Sequence, residues 1–303
     1  MSDGLARFNV YDHVTQTIID HIEAGTAPWV KSWTGSSGRL HIPQRVSGEE
    51  YRGINVLMLW IEAARKGYVS PRWMTYRQAQ ELGGQVRKGE KSATVVKYGT
   101  LEKDAVDATT GNCETRFLGY AKAYRVFCAD QIDGLPAEFY AKPDPARDLG
   151  SRAVPELDAW FGSMGVTITS SSKPEAYYSP SEDLIHMPPI ETFVSAAKFY
   201  GTLSHETAHA VGASHRLNRQ HPGTAQQQYA RDEVVAELCA AMVSARLGIE
   251  TEYDQNAAYL HHWLGILKED NRAILRAASM AQAAADWMFA KAGVVQIPHA
   301  LAA

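Results

Sequence analysis

The sequence predicts an α+β protein of two domains, a small mixed α/β domain followed by a second one with a helical end. Three observations predict it. Apolar residues recur at helical spacing over residues 8–24 and 54–66, yet alternate at strand spacing over residues 117–128. Residues 130–146 hold Gly134, Pro136, Pro143 and Pro145 and read as a linker, which divides the chain into 1–128, a connection at 129–149, and 150–303. Charge divides the same way: residues 1–128 carry 17 basic against 13 acidic side chains, residues 129–303 carry 13 against 21. Between Lys31 and Lys97 the excess sharpens to 12 basic against 5 acidic. Such asymmetry suggests that the first half meets a polyanion.

The elements follow in order. Residues 8–24 form an amphipathic helix with Val10, Val14, Ile18, Ile19 and Ile22 on its apolar face. A loop rich in glycine, serine and proline follows. Residues 54–66 are helical, and residues 75–82 form a short helix that starts after Ser70-Pro71 and stops at Gly83-Gly84. Residues 85–98 read as a strand, a turn at RKGEK and a second strand, with residues 117–128 as another strand. Beyond the linker come a helix over 154–164 and short strands around 166–169, 176–178 and 184–187, closed by Pro188-Pro189. Residues 192–211 read as one helix, with Phe193, Ala196, Ala197, Tyr200, Leu203, Ala208 and Val211 on one face and Gly212 as a breaker. Three further helices cover 229–242, 256–267 and 272–291.

Composition excludes several classes. The longest apolar run, INVLMLWI at 54–61, is too short to span a bilayer, so no membrane partner is expected. The amino terminus has no apolar core of a signal peptide. Cys113, Cys128 and Cys239 are odd in number and widely spaced, which argues against a disulfide framework and for a reducing compartment. A cytoplasmic location is the expectation.

The chemistry concentrates in His205-Glu206-Thr207-Ala208-His209. Residues four apart on a helix share a face, so His205 and His209 can present two imidazoles to one ion. Glu206 then lies beside that ion, where a carboxylate serves as general base toward water. Short strands followed by such a helix are the order of a zincin, whose edge strand can pair with an extended peptide. Two residues compete to be the third ligand. HETAHAVGASH satisfies H-E-x-x-H-x-x-G-x-x-H with His215, the glycine letting the chain turn back to the ion. Glu233 competes from the next helix, where Glu233 and Glu237 are two acids on an otherwise apolar segment. In that arrangement Glu233 binds the ion and Glu237 orients a histidine. Met242 and Met280 lie in helical patterns, not in the tight methionine turn that the His215 reading needs, which favours Glu233. Cys239 lacks the paired spacing of zinc cysteines.

In the first half, Lys31, Trp33, Arg45, Arg52, Arg72, Trp73, Arg77, Lys88 and Lys91 interleave cations with aromatic rings. Cations follow a phosphate backbone and rings stack on unpaired bases, so the mixture suits single-stranded nucleic acid better than a duplex. The bland alternative is a soluble domain with a core of aromatic residues such as Trp60 and a charged turn at RKGEK.

Longer strings carry a resemblance. AGTAPWVKSW, SGEEYRGINVLMLW and SPRWMTYRQAQELGGQVRKGEKSATVV in the first half, and YYSPSEDLIHMPP, LSHETAHAVGASHRLNR and YARDEVVAELCAAM in the second, resemble the ArdC antirestriction family of conjugative plasmids. The resemblance covers nearly the whole chain. It implies a non-specific single-stranded-DNA-binding domain joined to a zincin-like metallopeptidase domain, and protection of incoming plasmid DNA from type I restriction. It also implies metal ligation by His205 and His209, and its E-x-x-A-E element, matching Glu233 to Glu237, raises Glu233 over His215. The resulting expectation is Zn²⁺, with Mn²⁺ as a substitute, on His205, His209 and Glu233. Glu206 acts as general base and then as proton donor, with Tyr177, Tyr178 or His215 stabilising an oxyanion. The partners expected are single-stranded DNA and an unidentified protein substrate, from the restriction system or bound to DNA. Two other readings stand beside this one: a DNA-coating protein whose metal site is dispensable, and a Spartan-like protease acting on DNA-bound proteins.

Overall fold

The computed structural model describes residues 9–25, 40–106, 113–140, 148–249 and 257–293. Helix α1 (Val10–Glu23) buries Val10, Val14, Ile18, Ile19 and Ile22, and Asn9 caps it by accepting the Tyr11 N–H. Helix α2 (Ile54–Lys66) buries seven of its first eight residues, more than an amphipathic stripe, because α1, a β-sheet and the last helix all pack around it.

Strand β1 (Trp73–Met74) leads into α3 (Tyr76–Glu81), which is started by a capping box between Thr75 and Gln78. Next come β2 (Gln85–Val86), β3 (Ala93–Val106) and β4 (Cys113–Cys128). β3 and β4 form a long antiparallel pair, Ala93 opposite Val126, and β1 joins on the other side of β4 with Trp73 opposite Cys128. The RKGEK turn is not a hairpin. β2 pairs instead with β5 (Ile132–Asp133), Val86 opposite Ile132, and the turn carries the chain from that small ladder to the large sheet. Gln131 fixes the crossing: its side-chain amide donates to Glu90 (3.0 Å) and to the Lys91 carbonyl (2.9 Å).

The same ladder corrects the linker. Residues 129–140 are folded onto the first half, because Ile132, Leu135 and Phe139 close a small core with Met74, Ala79 and Val86. Gly84 makes room for them, since a Cβ there would lie 2.6 Å from a Leu135 methyl and 2.8 Å from one of Ile132. Gly134 and Pro136 therefore shape a packed turn. The remainder of the expected connection, residues 141–147, lies outside the described residues.

The second half opens with α4 (Pro155–Gly162) and a small sheet of β6 (Thr167–Ser170), β7 (Tyr177–Ser179) and β8 (Leu184–Met187). Its order is β6-β8-β7, with β6 parallel and β7 antiparallel to β8. Helix α5 (Ala196–Val211) starts later than its periodicity suggests, because Ile190–Thr192 forms a separate turn and the Ser195 hydroxyl caps α5 by accepting the Lys198 N–H at 3.1 Å. Helix α6 (Ala225–Leu247) begins with a Thr224–Gln227 capping box and ends at Gly248, whose φ of 75° favours glycine. Helices α7 (Ala257–Glu269) and α8 (Ala273–Ala292) complete the described chain.

The two domains are not beads on a string. One hydrophobic core runs from α1 and α2 through α5, α6 and α8. Polar contacts reinforce the junction: Arg246 at the end of α6 pairs with Glu50 (2.7 Å) and Asp286 (3.3 Å), Asp286 also pairs with Arg52, and Gln282 accepts the Gly53 N–H at 2.9 Å. No described helix is long and apolar enough to cross a membrane. Cys128 and Cys239 are buried free thiols.

Candidate metal centre

Helices α5 and α6 pack side by side, and their facing surfaces hold the site. One turn apart on α5, His205 and His209 bring their Nε2 atoms to 3.0 Å. From α6, Glu233 places one carboxylate oxygen 3.4 Å from His205 Nε2 and the other 3.3 Å from His209 Nε2. An ion bound tetrahedrally at about 2.0–2.1 Å spaces its ligands roughly 3.3 Å apart; one ligand atom from each of the three residues lies within 4.8 Å of the others, close enough to converge on a single divalent cation. Among the described residues it is the one group of three that fits.

A second layer of polar contacts holds the first. His209 Nδ1–H donates to Asp232 at 2.6 Å, which leaves Nε2 facing His205 and Glu233. The other Asp232 oxygen accepts from Arg219 Nε (2.6 Å) and His221 Nε2 (2.9 Å). Burial opposes ionisation of Asp232, but these three donors prevail and hold its carboxyl far below the usual carboxylate range. Glu233 is lowered likewise, against burial, by His205 and His209. On His209 burial acts downward, and the Asp232 and Glu233 carboxylates outweigh it, pushing the imidazole up to about 9.

Several sequence expectations change here. Asp232 orients His209. Glu237 lies one helical turn further along α6. The Asp232-Glu233 doublet was the available signal: neighbours on a helix diverge by about a quarter turn, so one carboxylate reaches the ion and the other the ring behind it. His215 is no ligand. It is 52% exposed and bonds to Asp183 at 3.1 Å. Arg216 grips the same carboxylate at 2.8 Å and 2.9 Å, and the Tyr178 hydroxyl donates to it at 2.9 Å. Tyr178 and His215 thus belong to a network around Asp183, which commits them away from an oxyanion. Tyr177 stacks on His186 with ring centroids 5.2 Å apart. Gly212, the glycine of the motif, makes no left-handed turn either, its φ being −70°.

Glu206 is buried beside His205 on α5. Tyr229, which sequence reasoning passed over, lies near the Glu233 and Glu206 carboxylates. Burial, then the Glu233 and Glu206 charges, push its phenol up to about 12, so it remains a donor at neutral pH. No periodicity marked Tyr229, since one exposed tyrosine in the first turns of a helix looks like surface.

The basic and aromatic set of the first half is scattered. Lys31 and Trp33 lie outside the described residues. Trp73 is 1% exposed and meets Tyr68 edge-on at 6.0 Å, so it is core and offers no face to a base. Arg72 donates to the Arg45 carbonyl at 3.3 Å, and Arg77 pairs with Glu81 at 2.8 Å. Lys88 and Lys91 sit exposed on the turn between β2 and β3. Arg45 and Arg52 line one groove, with the buried Trp73 in its floor.

Fold and site together define a zincin-like metallopeptidase domain behind a second, smaller domain: residues 155–280 match the zincin-like metallopeptidase family and residues 8–127 the N-terminal domain of anti-restriction factor ArdC. The solved ArdC antirestriction protein of plasmid R388, in its metal-free form, is 51% identical, with a TM-score of 0.83 over 95% of this chain and 100% of that one. Its Mn(II)-bound form matches at 49% identity with a TM-score of 0.80. The chain belongs to the ArdC antirestriction family. A Sinorhizobium fredii protein, y4eC, is 38% identical over 93% of this chain and 92% of its own length. The Escherichia coli DNA primase TraC is 34% identical over 92% of this chain, which spans 27% of that larger protein.

Proposed function

We propose that this chain binds single-stranded DNA through its first domain and hydrolyses peptide bonds at the His205, His209 and Glu233 centre, protecting incoming plasmid DNA from type I restriction in the cytoplasm. The observation that carries the reading is the convergence of three ligands, the two imidazole nitrogens 3.0 Å apart and each within 3.4 Å of a Glu233 oxygen, with the buried Glu206 next to His205 in sequence. The two-nitrogen, one-oxygen donor set suits zinc, with manganese as the substitute that the R388 relative carries. When bound, such an ion supplies a Lewis acid and acidifies water.

The chain's own groups do the rest. Glu206 takes the proton from the attacking water on a carboxylate oxygen and returns it to the leaving amine. Tyr229, near the Glu233 and Glu206 charges, offers a neutral O–H to negative charge developing on the carbonyl oxygen. Asp232 keeps the His209 ring in one tautomer. β7, the antiparallel edge strand packed on α5, has a free side along which an extended peptide can lie. DNA binding is supported by the positive balance between Lys31 and Lys97 and by kinship with a DNA primase and an antirestriction protein.

A plasmid-transfer assay into a restricting recipient tests the reading. The wild-type gene on the incoming plasmid raises recovery of transconjugants over a plasmid lacking it. Equal recovery would refute the protective role.

A further inference from the structure

A groove of about 950 Å³ runs between the β3–β4 sheet and α8, where the two domains meet. Arg45 and Arg52, from the segment before α2, stand on its rim with Lys97 of β3. Tyr124, 37% exposed, lines it from the sheet face that also carries Lys97, because its cross-strand partner is Val95; Tyr98, 49% exposed, lines it from the other face, across the β3 edge. Lys122 already stands 5.3 Å above the Tyr124 ring, so cation and aromatic face alternate along this wall. Asp286 of α8 is the one acid among the described lining residues, and Arg52 and Arg246 neutralise it.

This chemistry selects its occupant. An exposed tyrosine serves any base through its flat face, and cations spaced along a rim follow a phosphate backbone. An extended peptide would instead seek the open edge of β3. Asn55 blocks that edge: its amide donates to the Val96 carbonyl at 2.8 Å and its carbonyl oxygen accepts the Val96 N–H at 2.7 Å. We infer that a single strand of nucleic acid lies in this groove, phosphates toward Arg45, Arg52 and Lys97, bases against Tyr124, with α8 of the metallopeptidase domain as the opposite wall. The inference rests on the single-stranded-DNA reading above and assigns the place. Arg77, Lys88 and Lys91 lie off this path. A seated strand takes Arg52 from Asp286, so the acid acts as a stand-in for phosphate in the empty groove.

Fluorescence anisotropy of a labelled oligothymidylate with the full chain tests it. Tyr124→Ala weakens binding about tenfold, as loss of base stacking does. Lys97→Gln, at an exposed site with no packing role, lowers the slope of log affinity against log salt by about 0.7, one phosphate contact. Asp286→Asn tightens binding, a sign that a merely structural role would not give. Arg65→Gln, on α2 away from the groove, leaves the affinity unchanged. Wild-type binding that survives in the tyrosine and Lys97 variants, or is lost only on changing Arg77, Lys88 and Lys91, overturns the groove while the DNA-binding reading stands. A wild-type chain that does not retain the oligonucleotide overturns that reading, and the groove with it.

Discussion

Arg219 lies across Gly212 so closely that a Cβ on the glycine would sit 2.5 Å from the guanidinium carbon. The glycine of the motif therefore serves packing, not a turn. Arg219 cannot yield easily, because it is 4% exposed and its guanidinium donates to Asp232 and, at 3.1 Å, to the Ala208 carbonyl. Through Asp232 the contact reaches His209. Gly212→Ala should leave the helix intact and lower metal affinity roughly tenfold or more, the usual cost of disturbing an orienting partner. Competition against a chelator of known affinity measures it; an unchanged affinity would separate Arg219 from the centre.

The third ligand is open to direct comparison. Glu233→Ala removes one corner of the triangle, and His215→Ala breaks only the contact to Asp183. Metal content after dialysis should collapse in the first variant and match wild type in the second. The reverse pattern would restore His215 to the centre.

His209 gives the metal-free protein a pH signature. Its folded-state value of about 9 exceeds the ordinary 6.5, so the charged ring stabilises the fold fully below pH 6.5, and that contribution is lost as pH rises through 9. A cation competes with the proton for the same nitrogen, so metal affinity rises across this window with proton release. Thermal melts of the metal-free wild type should decline from pH 6.5 to 9 more steeply than those of His209→Gln. Parallel declines would contradict the assignment.

Trp73 tests the boundary between core and surface. It is among the largest fully buried side chains, and Trp73→Ala should cost about 3–5 kcal/mol. Urea unfolding followed by circular dichroism would show it, and a loss under 1 kcal/mol, roughly a surface change, would return the ring to the DNA-facing set.

The extent to which the chain announced this arrangement follows from the range of each interaction. α1, α2, α6 and α8 were legible because a local apolar period fixes them, and His205, Glu206 and His209 because one helix carries all three. The β2–β5 ladder was hidden by Gly134 and Pro136, whose turn-forming character resembles a linker until Ile132, Leu135 and Phe139 are seen to pack. Trp73 counted as a stacking residue because composition cannot tell a buried ring from an exposed one. Arg219 and His221 were illegible for a different reason. Their roles arise only when α6 docks on α5, a contact between segments that nothing local encodes.

The central claim is that His205, His209 and Glu233 hold a metal at which Glu206 performs proton transfer in peptide-bond hydrolysis. Cleavage of a denatured protein substrate by zinc-loaded full chain, compared with Glu206→Gln at equal metal content, tests it most directly. Cleavage in the wild type that falls by at least about a hundredfold in the variant is the predicted result. Equal rates in the two, or no cleavage by a wild-type chain that carries its metal, would contradict it.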